Sequence, residues 1–315
     1  MAMLKFRTEF PKFELPKLDY QQPILVAGSC FAELVETRLR SGGFMVVSPS
    51  HGILYHPFAL SKMLESWCET PELQWPSLEK YLDKWVSLDH HGSFSSNSPE
   101  PAISKMRSAR LECSQALENA NFLFLSLGTA HYFLDTVSNK PVGNCHKLPA
   151  ARFLRKRATV TEIVDCLNLS IQKLTKINPH LTVVLSVSPV KHLRDGLSEN
   201  SLSKSVLRVA SEVLCSRNSN VHYFPAYEIL TEDLRDYRFY SEDLAHPSKA
   251  AQDYIFGYFS SACFSPETTE VFKQVSAFRN LQSHSSVSNP ALHLNAVEKE
   301  KERLIAHFAF LRDRL

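Results

Sequence analysis

The sequence predicts an α/β fold, a five-stranded parallel sheet with helices on both faces. Three observations predict it. Five short apolar runs, at 24–27, 44–47, 122–127, 181–187 and 221–224, have strand length and are bounded by breakers or polar turns. Helical periodicity fills much of the chain between them, as a parallel sheet requires of its crossovers. The residues able to do chemistry stand just after the apolar runs, and the carboxyl ends of the strands are where such sheets bind ligands.

The first run follows Pro23 and leads through Gly28-Ser29-Cys30 into a helix with Phe31, Leu34, Val35 and Leu39 on one face. Glu33 and Glu36 stand early in that helix, Arg38 and Arg40 late, matching its dipole, and Gly42-Gly43 ends it. Ser29 and Cys30 thus fall where a strand turns into a helix and backbone N–H groups lack partners. A hydroxyl or thiol there sits beside donors able to stabilise an oxyanion or a thiolate. The simpler use of Gly-Ser at such a turn is a bend and a helix cap.

The second run opens a loop holding His51, Gly52 and His56, before a helix over 58–68 that turns Leu60, Met63, Leu64 and Trp67 inward. Residues 69–100 read as irregular, and their length predicts an insertion or lid. A helix over 103–119 feeds the third run, which ends in Gly128-Thr129-Ala130-His131, followed by a loop bearing Asn144-Cys145-His146-Lys147. Ile163, Leu167, Ile171 and Leu174 mark a helix over 161–176. The fourth run stops at Ser188-Pro189, and after His192 and Asp195-Gly196 comes a helix whose apolar face reads Leu202, Val206, Val209 and Val213. After the fifth run a polar loop delivers Asp243 and His246, and Pro247 opens a helix burying Ile255 and Phe259. The domain is expected to span 1–278, with 1–22 as an arm laid against it, 279–290 as a linker and 291–315 as a charged C-terminal helix.

Composition narrows the function classes. Net charge is +2, from 35 basic and 33 acidic residues, so no global field points to nucleic acid or a membrane. The basic run Arg152 to Arg157 reads as a solvated face rather than a phosphate or nucleic-acid site. Seven cysteines, at 30, 68, 113, 145, 166, 215 and 263, form no C-x-x-C pair and no disulfide or zinc framework. Without a signal core or a membrane-length apolar run, the expected compartment is the cytoplasm. No Walker loop, G-x-G-x-x-G or G-x-S-x-G is present, so no nucleotide cofactor and no α/β-hydrolase elbow is expected. His51, His56, His90, His91, His131, His146 and His192 offer imidazoles, but no H-E-x-x-H or H-x-H spacing supports a metal site.

Asp243 and His246, three apart, can share one side of a turn, where the carboxylate would fix the imidazole tautomer and free the other nitrogen to act as base. A helix-capping role for His246 is the structural alternative. With these residues in hand, the sequence resembles the GSCFA family, whose motif stands intact as Gly28 through Ala32. That family is similar to the SGNH/GDSL hydrolase superfamily. The resemblance extends through His51 to Tyr55, Gly128-Thr129-Ala130, Asn144-Cys145-His146, Ser188 to Gly196 and Asp243 to His246.

The resemblance implies a three-layer α/β/α sandwich with strand order 2-1-3-4-5, and hydrolysis or transfer of an acyl ester with no cofactor. The substrate would be a small-molecule or carbohydrate ester, the carbohydrate being inferred from the superfamily's habits. Asp243 and His246 match the terminal D-x-x-H block, and Gly52 the second-block glycine. Laying Gly-Asp-Ser-Leu over Gly28-Ser29-Cys30-Phe31 puts Cys30 in the nucleophile slot, and a shift of one residue restores Ser29. Where the superfamily has Gly-x-Asn-Asp, this chain has Gly128-Thr129-Ala130-His131, so the oxyanion asparagine is missing in place. Gly28, Gly52, Gly128, Thr129, Asn144, His146 and His192 are the candidates for oxyanion and substrate contacts. A ligand-binding module that kept the cleft and lost the chemistry is the alternative class, and a metal-dependent hydrolase a third.

Overall fold

In the computed structural model, residues 8, 10–69, 77–283 and 290–315 are described. The parts of the expected arm, insertion and linker at 1–7, 9, 70–76 and 284–289 lie outside them. The strands are β1 (Ile24–Gly28), β2 (Val46–Val47), β3 (Glu79–Tyr81), β4 (Lys84–Val86), β5 (Phe122–Leu127), β6 (His131–Asp135), β7 (Lys140–Val142), β8 (Phe153–Arg157), β9 (Thr182–Val187) and β10 (Val221–Tyr223). The helices are α1 (Cys30–Ser41), α2 (Pro57–Trp67), α3 (Pro99–Asn119), α4 (Val160–Ile177), α5 (Gly196–Arg217), the single turn α6 (Ala226–Glu228), α7 (Lys249–Cys263), α8 (Pro266–Ser283) and α9 (Pro290–His307).

The main sheet has five parallel strands in the order β10-β9-β5-β1-β2, which is the expected 2-1-3-4-5. Its strands are apolar on both faces because both faces are covered. Side chains alternate: Leu25, Ala27, Leu123 and Leu125 pack with α2, α4 and α5, whereas Ile24, Val26, Phe122 and Phe124 pack with α1, α7 and α8. Phe31, Phe124, Phe224 and Phe259 meet edge-on or tilted on the second face, each buried ring contributing about 1.5–3 kcal/mol.

Gly28 ends β1 at φ +128°, a conformation other residues avoid, and a Cβ there would collide with the Ser126 carbonyl. Gly28→Ala is therefore expected to cost at least about 3 kcal/mol, read as a lowered midpoint in chemical denaturation.

Four expectations are corrected. The stretch after β5 is not a plain loop: β7, β6 and β8 form a small antiparallel sheet in that order, its last strand made of the basic run. The described part of the 69–100 segment holds a β3–β4 hairpin and a short 3₁₀ turn, Gly92–Phe94, rather than irregular chain. The buried face of α5 is Asn200, Ser203, Lys204, Leu207, Ala210, Ser211 and Leu214, while Leu202 and Val209 are exposed. Helix α8 runs through Ser283 into the expected linker.

The C-terminal helix covers 290–307, and a 3₁₀ turn, Ala309–Leu311, follows it. Leu304 and Leu311 are fully buried in the second core, and Arg314 donates to the carbonyls of Tyr20 and Gly43. The described part of the arm lies on α7, with Leu15 and Leu18 N–H groups donating to Ala262 and Cys263. Among the described residues no helix is long and apolar enough to cross a membrane.

Candidate active site

At the carboxyl edge of the sheet lies a cleft of about 580 Å³. Cys30, Tyr55, Thr129, Asn144, His192 and His246 line it, so it draws on the segments that follow all five strands of the main sheet and β7. The β1–α1 turn splits the two nucleophile candidates. Ser29 is the N-cap of α1 and only 1% exposed; its Oγ accepts from Phe31 N–H at 3.3 Å and shares a 2.9 Å hydrogen bond with Ser126 Oγ. Cys30, the first helical residue, turns the other way, and its Sγ lies 3.9 Å from His246 Nε2.

His246 Nδ1 is 2.5 Å from Asp243 Oδ2, and Asp243 Oδ1 accepts from the Ala245 and His246 N–H groups at 3.0 Å each. Those N–H groups and the imidazole hold the Asp243 carboxyl down to about 2. The carboxylate fixes the proton on Nδ1 and leaves Nε2 facing sulfur. The cap of α7 is Ser248, whose Oγ accepts from Ala251 N–H, so His246 is not needed for that task.

Burial pushes the Cys30 thiol up, while its own N–H, the Lys204 charge and the Phe31 N–H pull back against it. Lys204 was not foreseen. It is 1% exposed, on α5, and its Nζ donates to the carbonyls of Gly128 at 2.6 Å and Ser188 at 2.8 Å, tying the ends of β5 and β9. Burial lowers its pKa from 10.5 to about 7, against the pull of Cys30.

The expected oxyanion glycines hold other posts. Gly52 N–H donates to Pro49 and Gly128 N–H to Tyr55, so neither is free to meet a substrate. Gly28 and Gly52 border a separate hollow of about 360 Å³ behind the turn. Thr129 lines the cleft, but its hydroxyl is held by Ser203 Oγ at 3.0 Å and accepts from His131 N–H. Asn144 lines it too, its Oδ1 accepting from His146 N–H. His146 turns away to the Ser87 carbonyl at 2.7 Å. His192 lines the cleft edge-on to Tyr55, and burial with the nearby Lys204 charge lowers its pKa to about 4, keeping it neutral.

The Cys30 and Ile53 N–H groups donate to no other residue among the described residues, and both residues line the cleft. Tyr55 contributes a phenol there, its pKa raised by burial and by the charges of Cys30 and Glu33.

Four further histidines are held in place by stacking or hydrogen bonds, and His131 lines the cleft with its Nε2 3.4 Å from Glu199. His51 and His90 stack at 4.0 Å in a second cavity, their Nδ1 atoms bonded to Ser50 and Ser87 hydroxyls. His56 caps α2, and His91 caps the 3₁₀ turn. Among the described residues no three His, Cys, Asp or Glu side chains gather as a metal-binding group.

None of the curated proteins matches the chain. Among solved structures, a GDSL-like lipase from Parabacteroides merdae is 14% identical with a TM-score of 0.40, over 83% of this chain and 100% of that one. A carbohydrate esterase family 3 protein from Talaromyces cellulolyticus is 11% identical with a TM-score of 0.33, over 80% and 98%. An acetyl esterase variant with acetate ion is 8% identical with a TM-score of 0.36, over 81% and 99%. The GSCFA family model matches residues 23–259, well over half the sequence, taking in the Gly28–Ala32 motif and the Asp243–His246 pair, and the chain belongs to the GSCFA family.

Proposed function

We propose that the protein is a thiol-dependent acyl-ester hydrolase or acyltransferase, with Cys30 as nucleophile, His246 as base and Asp243 as its orienter. The observation that carries this is the line from Cys30 Sγ to His246 Nε2, and from His246 Nδ1 to Asp243, at the edge of an open cleft. Because burial raises the thiol pKa, attack proceeds with proton transfer to His246 rather than from a standing thiolate.

Sulfur adds to the ester carbonyl as its proton passes to Nε2. The oxyanion is met by the Cys30 and Ile53 N–H groups and the Tyr55 hydroxyl, in place of the missing asparagine. Collapse breaks the bond to the alkoxy oxygen, which leaves with the proton from His246, and an acyl thioester remains. Water or an acceptor hydroxyl, deprotonated by His246, then attacks the thioester, and sulfur leaves as the thiol. Ser29 serves this site as a helix cap.

The test is alkylation with iodoacetamide and labelling with a fluorophosphonate near neutral pH, mapped by peptide mass spectrometry. Cys30 is expected to alkylate at least about tenfold faster in wild type than in His246→Ala, with Ser29 unlabelled in both. Equal rates at Cys30 in the two proteins, or labelling of Ser29, would overturn the assignment.

A further inference from the structure

The cleft carries charge that the chemistry above does not use. Arg155, Lys191 and Arg194 line it, and among the described residues no Asp or Glu does. Arg155 lies on β8 and Arg194 in the 3₁₀ turn after β9, yet both guanidinium carbons sit 5.1 Å from the ring centroid of Phe133 on β6. Lys191 places its ammonium 3.5 Å from the ring centroid of Tyr240.

Asp195 pairs with Arg155 and neutralises one of these charges. The Nε of Arg155 is buried with no acceptor, and neither Arg194 nor Lys191 has a carboxylate partner among the described residues. Two guanidiniums held over one ring repel each other, and a ligand anion would turn that repulsion into two charge-assisted contacts. A neutral carbohydrate ester could accept hydrogen bonds from these groups but would leave their charge unmatched.

Resting on the reading of the cleft as an esterase site, we infer that the substrate is an anionic ester, whose carboxylate or phosphate docks on Arg194 and Arg155 against Phe133. The neighbouring Tyr132, Val142 and Leu193 suit a short apolar or aromatic spacer between that anion and the ester carbonyl.

Titration calorimetry on the full chain at low ionic strength tests this without turnover, using phenyl phosphate, benzoate and benzamide. At least one anion is expected to bind, with affinity falling as salt is added, and benzamide is expected to bind more weakly than either. The tighter of the two anions identifies phosphate or carboxylate as the group recognised. Arg194→Gln is expected to weaken the anion by about tenfold, and Arg303→Gln on the C-terminal helix to leave it unchanged. Binding of benzamide as tight as the anions, no binding of either anion, or an unaltered affinity in Arg194→Gln would overturn the inference. Cys30 alkylation is read separately: an inert Cys30 beside an intact anion site would sink the esterase reading and not the anion site.

Discussion

Cys30→Ala is expected to lower kcat/KM for acyl-ester turnover by about 10⁴-fold, the scale at which a covalent nucleophile is lost. Ser29→Ala is expected to stay within about tenfold of wild type and to cost about 1–2 kcal/mol of stability, the worth of a cap and one buried hydrogen bond. The contrast follows from one turn of backbone. The Ser29 hydroxyl is spent on Phe31 N–H and Ser126, whereas the Cys30 sulfur opens on the cleft and faces His246. Steady-state kinetics and urea denaturation on both variants separate the two roles. A collapse of turnover in Ser29→Ala with its fold intact would reverse the assignment.

Lys204→Met is expected to lower kcat/KM near neutral pH by about tenfold and to move the midpoint of Cys30 alkylation upward, because a nearby ammonium favours the thiolate. The same variant changes how stability depends on pH. Lys204 has a folded pKa of about 7 against an ordinary 10.5, so across that window the unfolded chain holds a proton that the folded chain has given up. Stability therefore rises with pH through the window, and the burial cost is borne in full below about 7. Lys204→Met removes this contribution, and its melting temperature is expected to climb less steeply between pH 7 and 10.5 than that of wild type. The groups set against the ammonium are the Gly128 and Ser188 carbonyls and the Cys30 thiol, with His192 nearby but neutral. Parallel melting curves for the two proteins would show that the amine does not titrate in this window.

The sheet was legible because its strands are buried on both faces and so read as continuous apolar runs, with a one-to-one match in order. The Asp243–His246 pair was legible because three residues on a tight turn settle their own geometry. Ser29 against Cys30 was not, since adjacent residues share a sequence environment and only the turn decides which one points outward. The β6–β8 sheet escaped notice because its strands mix Lys, Arg and Pro with apolar residues, and the basic run hid Arg155 among charges that are solvated. Lys204 was hidden more deeply. Its face of α5 is built from Asn200, Ser203 and Ser211 as well as Leu207 and Leu214, so the apolar periodicity pointed to Leu202 and Val209 instead. A polar seam through a buried helix face leaves no hydrophobic signal.

The two sides of the cleft belong to different layers of the sandwich. Cys30 at the tip of α1 and His246 ahead of α7 ride on one face of the sheet, where Arg38 and Asp253 clamp the two helices together. Arg194 precedes α5 on the other face, and Phe133 and Arg155 belong to the small sheet inserted between β5 and α4. Reactivity and recognition are thus separable parts of the same cavity. On the proposed chemistry, exchange of Phe133 in the inserted sheet is expected to change ligand preference while the 3.9 Å separation of sulfur and imidazole, set by α1 and the turn ahead of α7, stays as it is.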